Sequence, residues 1–248
     1  MNEETIRKLN AINRRFYAER ADEFNQTRER AWRGWDVLFD RIGSRLKAEP
    51  RVLDLGCGNG RFARFLAKRG VRFTYVGVDA SVLALEHARP RLAELEAVEL
   101  FEHDFITGRE PLPDALASST FDLVVLFGVL HHVPGRALRS RLLTEISQRV
   151  TSGGVLAYTT WRFDQFPRFV KKLVPWEDYL GLSSEALDVR ELEFSDHIMT
   201  WGVPAAYRYC HAASEEESET LRRELPLRWV ESFLGDDDLN RYDWLQRD

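Results

Sequence analysis

The chain has 248 residues, 44% hydrophobic and 30% charged, with a net charge of −5. That suffices for one sizeable core, is short for two full domains, and is not the composition of a disordered chain. No apolar run reaches the roughly 18 residues of a membrane helix, the N-terminal MNEETIRKLN has no apolar core to act as a secretory signal, and Cys57 and Cys210 are too few for a disulfide scaffold or a self-contained zinc site, so a soluble, reduced, cytoplasmic protein without a metal is expected.

Residues 1–50 read as helical. Ile6, Leu9, Ile12, Phe16 and Tyr17 recur at three- and four-residue spacing. After a break near Phe24-Asn25-Gln26-Thr27, a second helix is expected from about Arg28 to Leu46, carrying Trp32, Trp35, Leu38, Phe39 and Ile42. From Arg51 short apolar runs alternate with helical stretches. Strands are expected over Arg51–Leu55, Phe73–Val78, Val98–Glu102, Phe121–Leu126 and Val155–Thr160, with helices over Gly60–Lys68, Ser81–Glu94 and Ala137–Val150. That rhythm predicts βαβ crossovers and a parallel sheet. Residues 161–209 break it. Pro167, Pro175 and Pro204 interrupt a run of aromatics, which reads as an insertion over the top of the sheet. Order resumes with a strand near Tyr207–Ala212, a helix over Ser214–Glu224 whose Ser214 and Glu217 fit a capping box, and two strands, Arg228–Phe233 and Leu239–Leu245, joined by a turn at Asp236-Asp237-Asp238.

The strongest motif is Val52-Leu53-Asp54-Leu55-Gly56-Cys57-Gly58-Asn59-Gly60: a buried strand, then glycines, then a helix. Glycines turn the backbone sharply and let a ligand approach it without a Cβ in the way. Gly58 to Ala63 also fits the dinucleotide pattern G-x-G-x-x-A, and a tight βα turn without a ligand is the plain alternative. Asp79, ending the second strand, puts a carboxylate beside the loop where it can accept two ribose hydroxyls. NAD enzymes share that feature. Asp54 leans the other way, because an acid before the glycines suits a cationic ligand and repels a pyrophosphate. Asp104-Phe105, after the third strand, offers a polar acceptor beside an apolar wall, or a loop cap.

The segments Val52–Gly60, Tyr75–Asp79, Glu102–Phe105, Phe121–Pro134 and Ser152–Leu156 resemble, in order and spacing, the class I S-adenosylmethionine-dependent methyltransferases. The resemblance implies an α/β fold with a doubly wound, mostly parallel seven-stranded sheet, its last strand antiparallel, preceded by the N-terminal helices and topped by a cap insertion. It implies one methyltransferase domain over 1–248: helices in 1–50, the cofactor half in 51–160, the cap in 161–209, and C-terminal strands and helix in 210–248. It also implies roles. Asp54, Gly56, Cys57, Gly58 and Gly60 would line the methionine portion of S-adenosylmethionine, Asp79 with Ala80 the ribose, and Asp104 with Phe105 the adenine, with Phe127 beneath the ligand. S-adenosylhomocysteine would be the product.

Methyl transfer from a sulfonium is an in-line displacement, so the protein mainly aligns the nucleophile and excludes water. A hydroxyl or nitrogen nucleophile also calls for a base; a carboxylate does not. His131 and His132, just after the fourth strand, are the candidate catalytic pair. As metal ligands they lack a third partner at nearby spacing. Phe24 to Arg28, Trp161, Pro175-Trp176 and the stretch Tyr207-Arg208-Tyr209-Cys210-His211 resemble the methyltransferases that esterify a carboxymethyl group on the wobble uridine of tRNA. That resemblance implies an acceptor site at Arg28, Trp161, Arg208, Tyr209 and His211, a tRNA acceptor, and, by analogy with eukaryotic relatives, a small partner protein. A bidentate guanidinium suits a carboxylate. Residues 161–175 carry four basic side chains against one acidic, a patch that could grip phosphates or merely be solvated, whereas 211–248 carry 5 basic and 11 acidic. The aromatics equally suit a pocket for a small metabolite.

Overall fold

Why the middle of the chain folds as it does follows from strands that are apolar on both faces. In β1 (Arg51–Leu55) every residue after the first is buried, and β4 (Phe121–Leu126) is buried throughout; such runs belong at the centre of a sheet covered on both sides. The computed structural model describes residues 1–27, 29–183 and 186–248. Two helices lead in, α1 (Glu3–Gln26) and α2 (Arg33–Ile42). After β1 come α3 (Arg61–Lys68), β2 (Thr74–Asp79), α4 (Val82–Arg91), β3 (Val98–Glu102), β4, α5 (Arg136–Ser147) and β5 (Val150–Trp161). A second group follows: α6 (Pro167–Val170), β6 (Leu173–Val174), α7 (Trp176–Leu182), β7 (Asp196–Trp201) and β8 (Ala206–His211). The chain closes with α8 (Glu215–Arg223), β9 (Arg228–Gly235) and β10 (Asn240–Gln246).

The main sheet has the order β3-β2-β1-β4-β5-β10-β9, with β10 running against its neighbours. This is the expected seven-stranded, doubly wound architecture. Side-chain alternation splits its core in two. Leu53, Leu55, Val76, Val124 and Leu126 pack on the face covered by α5 and α8, and Val52, Tyr75, Leu123 and Val125 on the face of Trp35, Phe62 and Phe65. Strand order reverses between β1 and β4, so a crevice opens at their carboxyl ends, where ligands of such sheets bind.

Several boundaries differ from expectation. The second helix starts at Arg33, not near Arg28, and α1 is interrupted by non-helical backbone at Arg20. The helix before β5 stops at Ser147, and the strand begins five residues early, at Val150. Gly153, at φ +75°, lets that strand bulge, and its register against β4 shifts there. The stretch 161–209, in which no βαβ unit was expected, contains a three-stranded antiparallel sheet, β6-β7-β8, with α1 packed along β8. Ser214 Oγ accepts from the Glu217 N–H at 3.1 Å as a cap should, but the Glu217 carboxylate bonds to Arg139 and His211 instead of closing the box.

The β9–β10 turn holds Asp236, Asp237 and Asp238 at φ 59°, 58° and 64°, conformations that cost a non-glycine residue free energy. Asp236 is retained by its bonds to the Gly34 N–H, Asn240 and the Tyr242 hydroxyl. Among the described residues Asp237 has only an exposed ion pair with Arg33. Asp237→Gly is therefore expected to stabilise the protein by about 0.5–1 kcal/mol, read as a higher urea midpoint; a lower midpoint would count against strain at this position.

Candidate functional site

The crevice opens into a cavity of about 760 Å³, floored by the loops after β1, β2 and β4 and roofed by α1 and the small sheet. At its glycine loop, Gly56 lies at φ +80°, and a Cβ there would come 2.4 Å from Val129 Cγ2. Beside Gly58, at φ +54°, a Cβ would meet nothing within 4 Å. The first glycine is thus required by packing; the second leaves a cradle open to a ligand. Asp79 braces this loop, its carboxylate accepting from the Gly58 and Ser81 N–H groups, each at 2.8 Å. Asp54 accepts from the Tyr75 hydroxyl at 2.6 Å.

Burial pushes the Asp54 carboxyl up to about 7, and the nearby Asp79 adds to the shift. Asp79 is itself pushed up by burial, and the Cys57 thiol well up by burial beside both acids. The Tyr75 hydrogen bond and the charge of Arg61, which also lines the cavity, offset the Asp54 shift only in part. Such a floor repels a pyrophosphate and favours a ligand that brings positive charge. The ionised form of Asp54 attracts a cation better than the protonated form. Affinity for S-adenosylhomocysteine, whose ammonium is cationic, should therefore rise as pH is raised through about 7 and lose that step in Asp54→Asn. Calorimetry showing the same step in both proteins would exclude Asp54 as its source.

Of the residues expected around the cofactor, Asp54, Gly56, Cys57, Gly58, Asp79, Ala80, Phe105 and Phe127 line the cavity. Gly60 does not. It precedes α3 at φ +74°, and a Cβ there would strike Leu92 at 2.6 Å. Nor does Asp104 line it. Its carboxylate caps its own loop, accepting from the Ile106 and Thr107 N–H groups and the Thr107 hydroxyl, and holds Asn10 of α1 at 2.8 Å. Burial alone would raise the Asp104 carboxyl, but these bonds hold it below the usual range.

At the other end of the cavity stand His131, His132, Trp161 and Arg208. The Arg208 side chain is 4% exposed. Its guanidinium lies over Phe16 at 5.4 Å and Trp161 at 5.1 Å, with Nη2 3.5 Å from the Met199 sulfur. Its Nε has no hydrogen-bond partner, and among the described residues no carboxylate pairs with it. Tyr209 and His211, expected beside it, are buried away from the cavity. Strand alternation puts them on the opposite face of β8, where the Tyr209 hydroxyl and His211 Nδ1 each lie 2.7 Å from an Asp196 oxygen. Arg28 lies outside the described residues. His132 is fixed at both nitrogens, Nδ1 3.0 Å from the Tyr209 carbonyl and Nε2 2.7 Å from the Tyr17 hydroxyl. His131 packs on Trp161, ring centres 4.9 Å apart.

Sequence reasoning missed the roof: Asn10, Asn13 and Tyr17 from α1, and Lys172, Met199 and Trp201 from the small sheet region. A signal existed, since Asn10, Asn13 and Tyr17 recur at helical spacing within the apolar pattern of α1. Two groups bring three possible ligand atoms within 4.8 Å: His131, His132 and Cys210, and Glu193, Asp196 and His211. The first corrects the expectation that the histidine pair has no third neighbour, but burial pushes the Cys210 thiol up to about 11, and the second already holds Arg139. We read neither as an ion site.

Residues 53–156 match the family model described as methyltransferase domain. These residues resemble a methyltransferase domain. The fold carries the likeness further: a crystal structure of an S-adenosylmethionine-dependent methyltransferase from Clostridium acetobutylicum superposes with a TM-score of 0.64 at 14% identity, over 93% of this chain and 97% of that one. In sequence, a malonyl-[acyl-carrier protein] O-methyltransferase of Legionella pneumophila is 29% identical over 150 residues, 60% of this chain and 50% of that protein. A human protein named probable tRNA methyltransferase 9B is 25% identical over 215 residues, 83% of this chain and 43% of that protein. The chain spans about half the length of such curated relatives. The matched residues supply most of the floor of the cavity, and its roof comes from residues outside the match. Among the described residues, no helix is long and apolar enough to cross a membrane.

Proposed function

We propose that this chain transfers the methyl group of S-adenosylmethionine to an acceptor that presents a carboxylate to Arg208, releasing S-adenosylhomocysteine. The observation that carries this reading is the buried guanidinium, without a carboxylate partner among the described residues, in the same cavity as the glycine loop. A buried cation is stable only when a counter-charge completes it. The sulfonium supplies the activation. Asp54, Gly56, Gly58 and Asp79 hold the donor, Phe105 and Phe127 wall it, and Arg208 with Trp161 holds the acceptor in line. A carboxylate nucleophile needs no base, which leaves His131 and His132 to shape the cavity.

The acceptor we favour is a carboxymethyl group on a modified wobble uridine of tRNA. The likeness to the tRNA methyltransferase supports this, as do the basic side chains of 161–175. That reading brings a cytoplasmic location and a small partner protein with it. The alternative is a small acid or acyl metabolite, in line with the malonyl-[acyl-carrier protein] relative and the acidic C-terminal segment. Either way the chain acts as one unit, with 161–209 as the cap. Transfer of tritiated methyl from the cofactor to total tRNA, run beside a small-molecule extract, tests the proposal. Base-labile label in tRNA is the expected result. Label only in the extract would select the metabolite, and alkali-stable label would overturn the carboxylate.

A further inference from the structure

Behind the acceptor end of the cavity lies a buried ionic web that methyl transfer itself does not use. Arg139 of α5, 1% exposed, donates to Glu217 of α8 at 2.7 Å, to Glu193 at 2.5 Å, and to the Val133 carbonyl at 2.9 Å. Val133 directly follows His131 and His132. Asp196, at the start of β7, accepts from the Tyr209 hydroxyl and the Glu193 N–H. His211, at the end of β8, joins the two halves. Its Nδ1 lies 2.7 Å from Asp196 Oδ1, and its Nε2 lies 2.8 Å from Glu217 Oε2. Ionised carboxylates only accept hydrogen bonds, so both ring nitrogens must carry protons.

We infer that His211, held as an imidazolium, is the positioning residue of the acceptor site: it fixes the strand that presents Arg208 and, through Glu217 and Arg139, the loop that carries His131 and His132. This rests on the acceptor reading above. The groups facing His211 are Asp196 on β7, Glu193 just before it, Glu217 on α8, Arg139 on α5 and Tyr209 on its own strand, with His197 next along β7. Two cations there face three carboxylates, which leaves one negative charge over. Burial alone would lower the His211 pKa, but the Asp196 and Glu217 bonds reverse that and hold it above the ordinary value. Loss of one ring proton would set a lone pair against a carboxylate and leave three acids facing one arginine. β8 would then have to shift, and with it Arg208 and the Tyr209 carbonyl that holds His132. The cofactor end, built on the loops after β1 and β2, has no part in the web. Acceptor binding should therefore weaken as pH rises past the His211 pKa, while cofactor binding should not.

The full chain with ¹⁵N-labelled histidine tests the first step by NMR, the His211 signal being the one missing from His211→Gln. At pH 7.5, where an ordinary histidine is about nine-tenths neutral, both His211 nitrogens should show imidazolium shifts, and Glu217→Gln, which keeps an acceptor for Nε2, should lower the titration midpoint. A neutral ring at pH 7.5 would overturn the inference. The second step is read by amide exchange over Arg208–Cys210, corrected for intrinsic rates. Protection there should fall about tenfold or more in His211→Gln and in Glu217→Gln, while S-adenosylhomocysteine affinity by calorimetry stays within about twofold; unchanged protection in both variants would remove the positioning role. Neither measurement needs the acceptor, so they can fail while the tRNA reading stands. With tRNA as acceptor, KM should rise alkaline of the midpoint in the wild type, and a flat profile would again overturn the inference.

Discussion

Arg208→Met is expected to raise the melting temperature and abolish methyl transfer at once. The guanidinium is buried with no carboxylate among the described residues to balance it, a costly arrangement that a well-packed apolar side chain of similar length relieves. Its stacking on Phe16 and Trp161 is worth about 1 kcal/mol and offsets part of the gain. We expect a net stabilisation of about 1–2 kcal/mol, which for a chain of this size is roughly 2–4 °C per kcal/mol. Loss of a desolvated charge-assisted pair to the acceptor costs about 2–5 kcal/mol, so kcat/KM should fall at least about 30-fold while cofactor affinity is unchanged. Scanning calorimetry and turnover on the same preparation read both. A destabilised variant with full turnover would show that Arg208 serves the fold and not the acceptor.

Asp79→Ala should remove cofactor binding without unfolding the chain. The carboxylate lines the cavity and also holds the Gly58 N–H at 2.8 Å. In the proposed cofactor pose its loss would take away two charge-assisted bonds to a ribose, and it frees the loop at Gly58. At about 1.5–3 kcal/mol for each such bond, affinity for S-adenosylhomocysteine should drop at least about 100-fold, and the ligand should no longer raise the melting temperature. Unchanged affinity by calorimetry would strike Asp79 from the site. The Gly58 and Ser81 N–H groups lose their acceptor, so the free protein should lose about 1–3 kcal/mol of stability and stay folded.

These two residues differ in how readable they were. Asp79 ends a buried strand beside the glycine loop, so its place at the cavity floor could be drawn from local sequence. Arg208 is reached only by resemblance, and two of its neighbours, Tyr209 and His211, do not share its cavity. Tyr209 and His211 were placed with it, although a strand of period two sends them to the other face. The small sheet was not foreseen because β6 is two residues long and prolines flank its strands. Asp104 looked like an adenine contact because nothing in its own segment announces Asn10, 94 residues away, as its partner. Long-range polar pairing, not local propensity, decided the place of Asp104.

Helix α1 lies against both ends of the cavity. Asn10 and Arg14 stand with Ile106 at the cofactor end, and Asn13 and Tyr17 with His132 at the acceptor end. A single element therefore has to be ordered for either ligand, and whichever arrives first meets part of the entropy cost for the other. Donor and acceptor are thus expected to bind with positive heterotropic linkage. Calorimetric titration of either ligand, with and without the other, should return the same coupling factor.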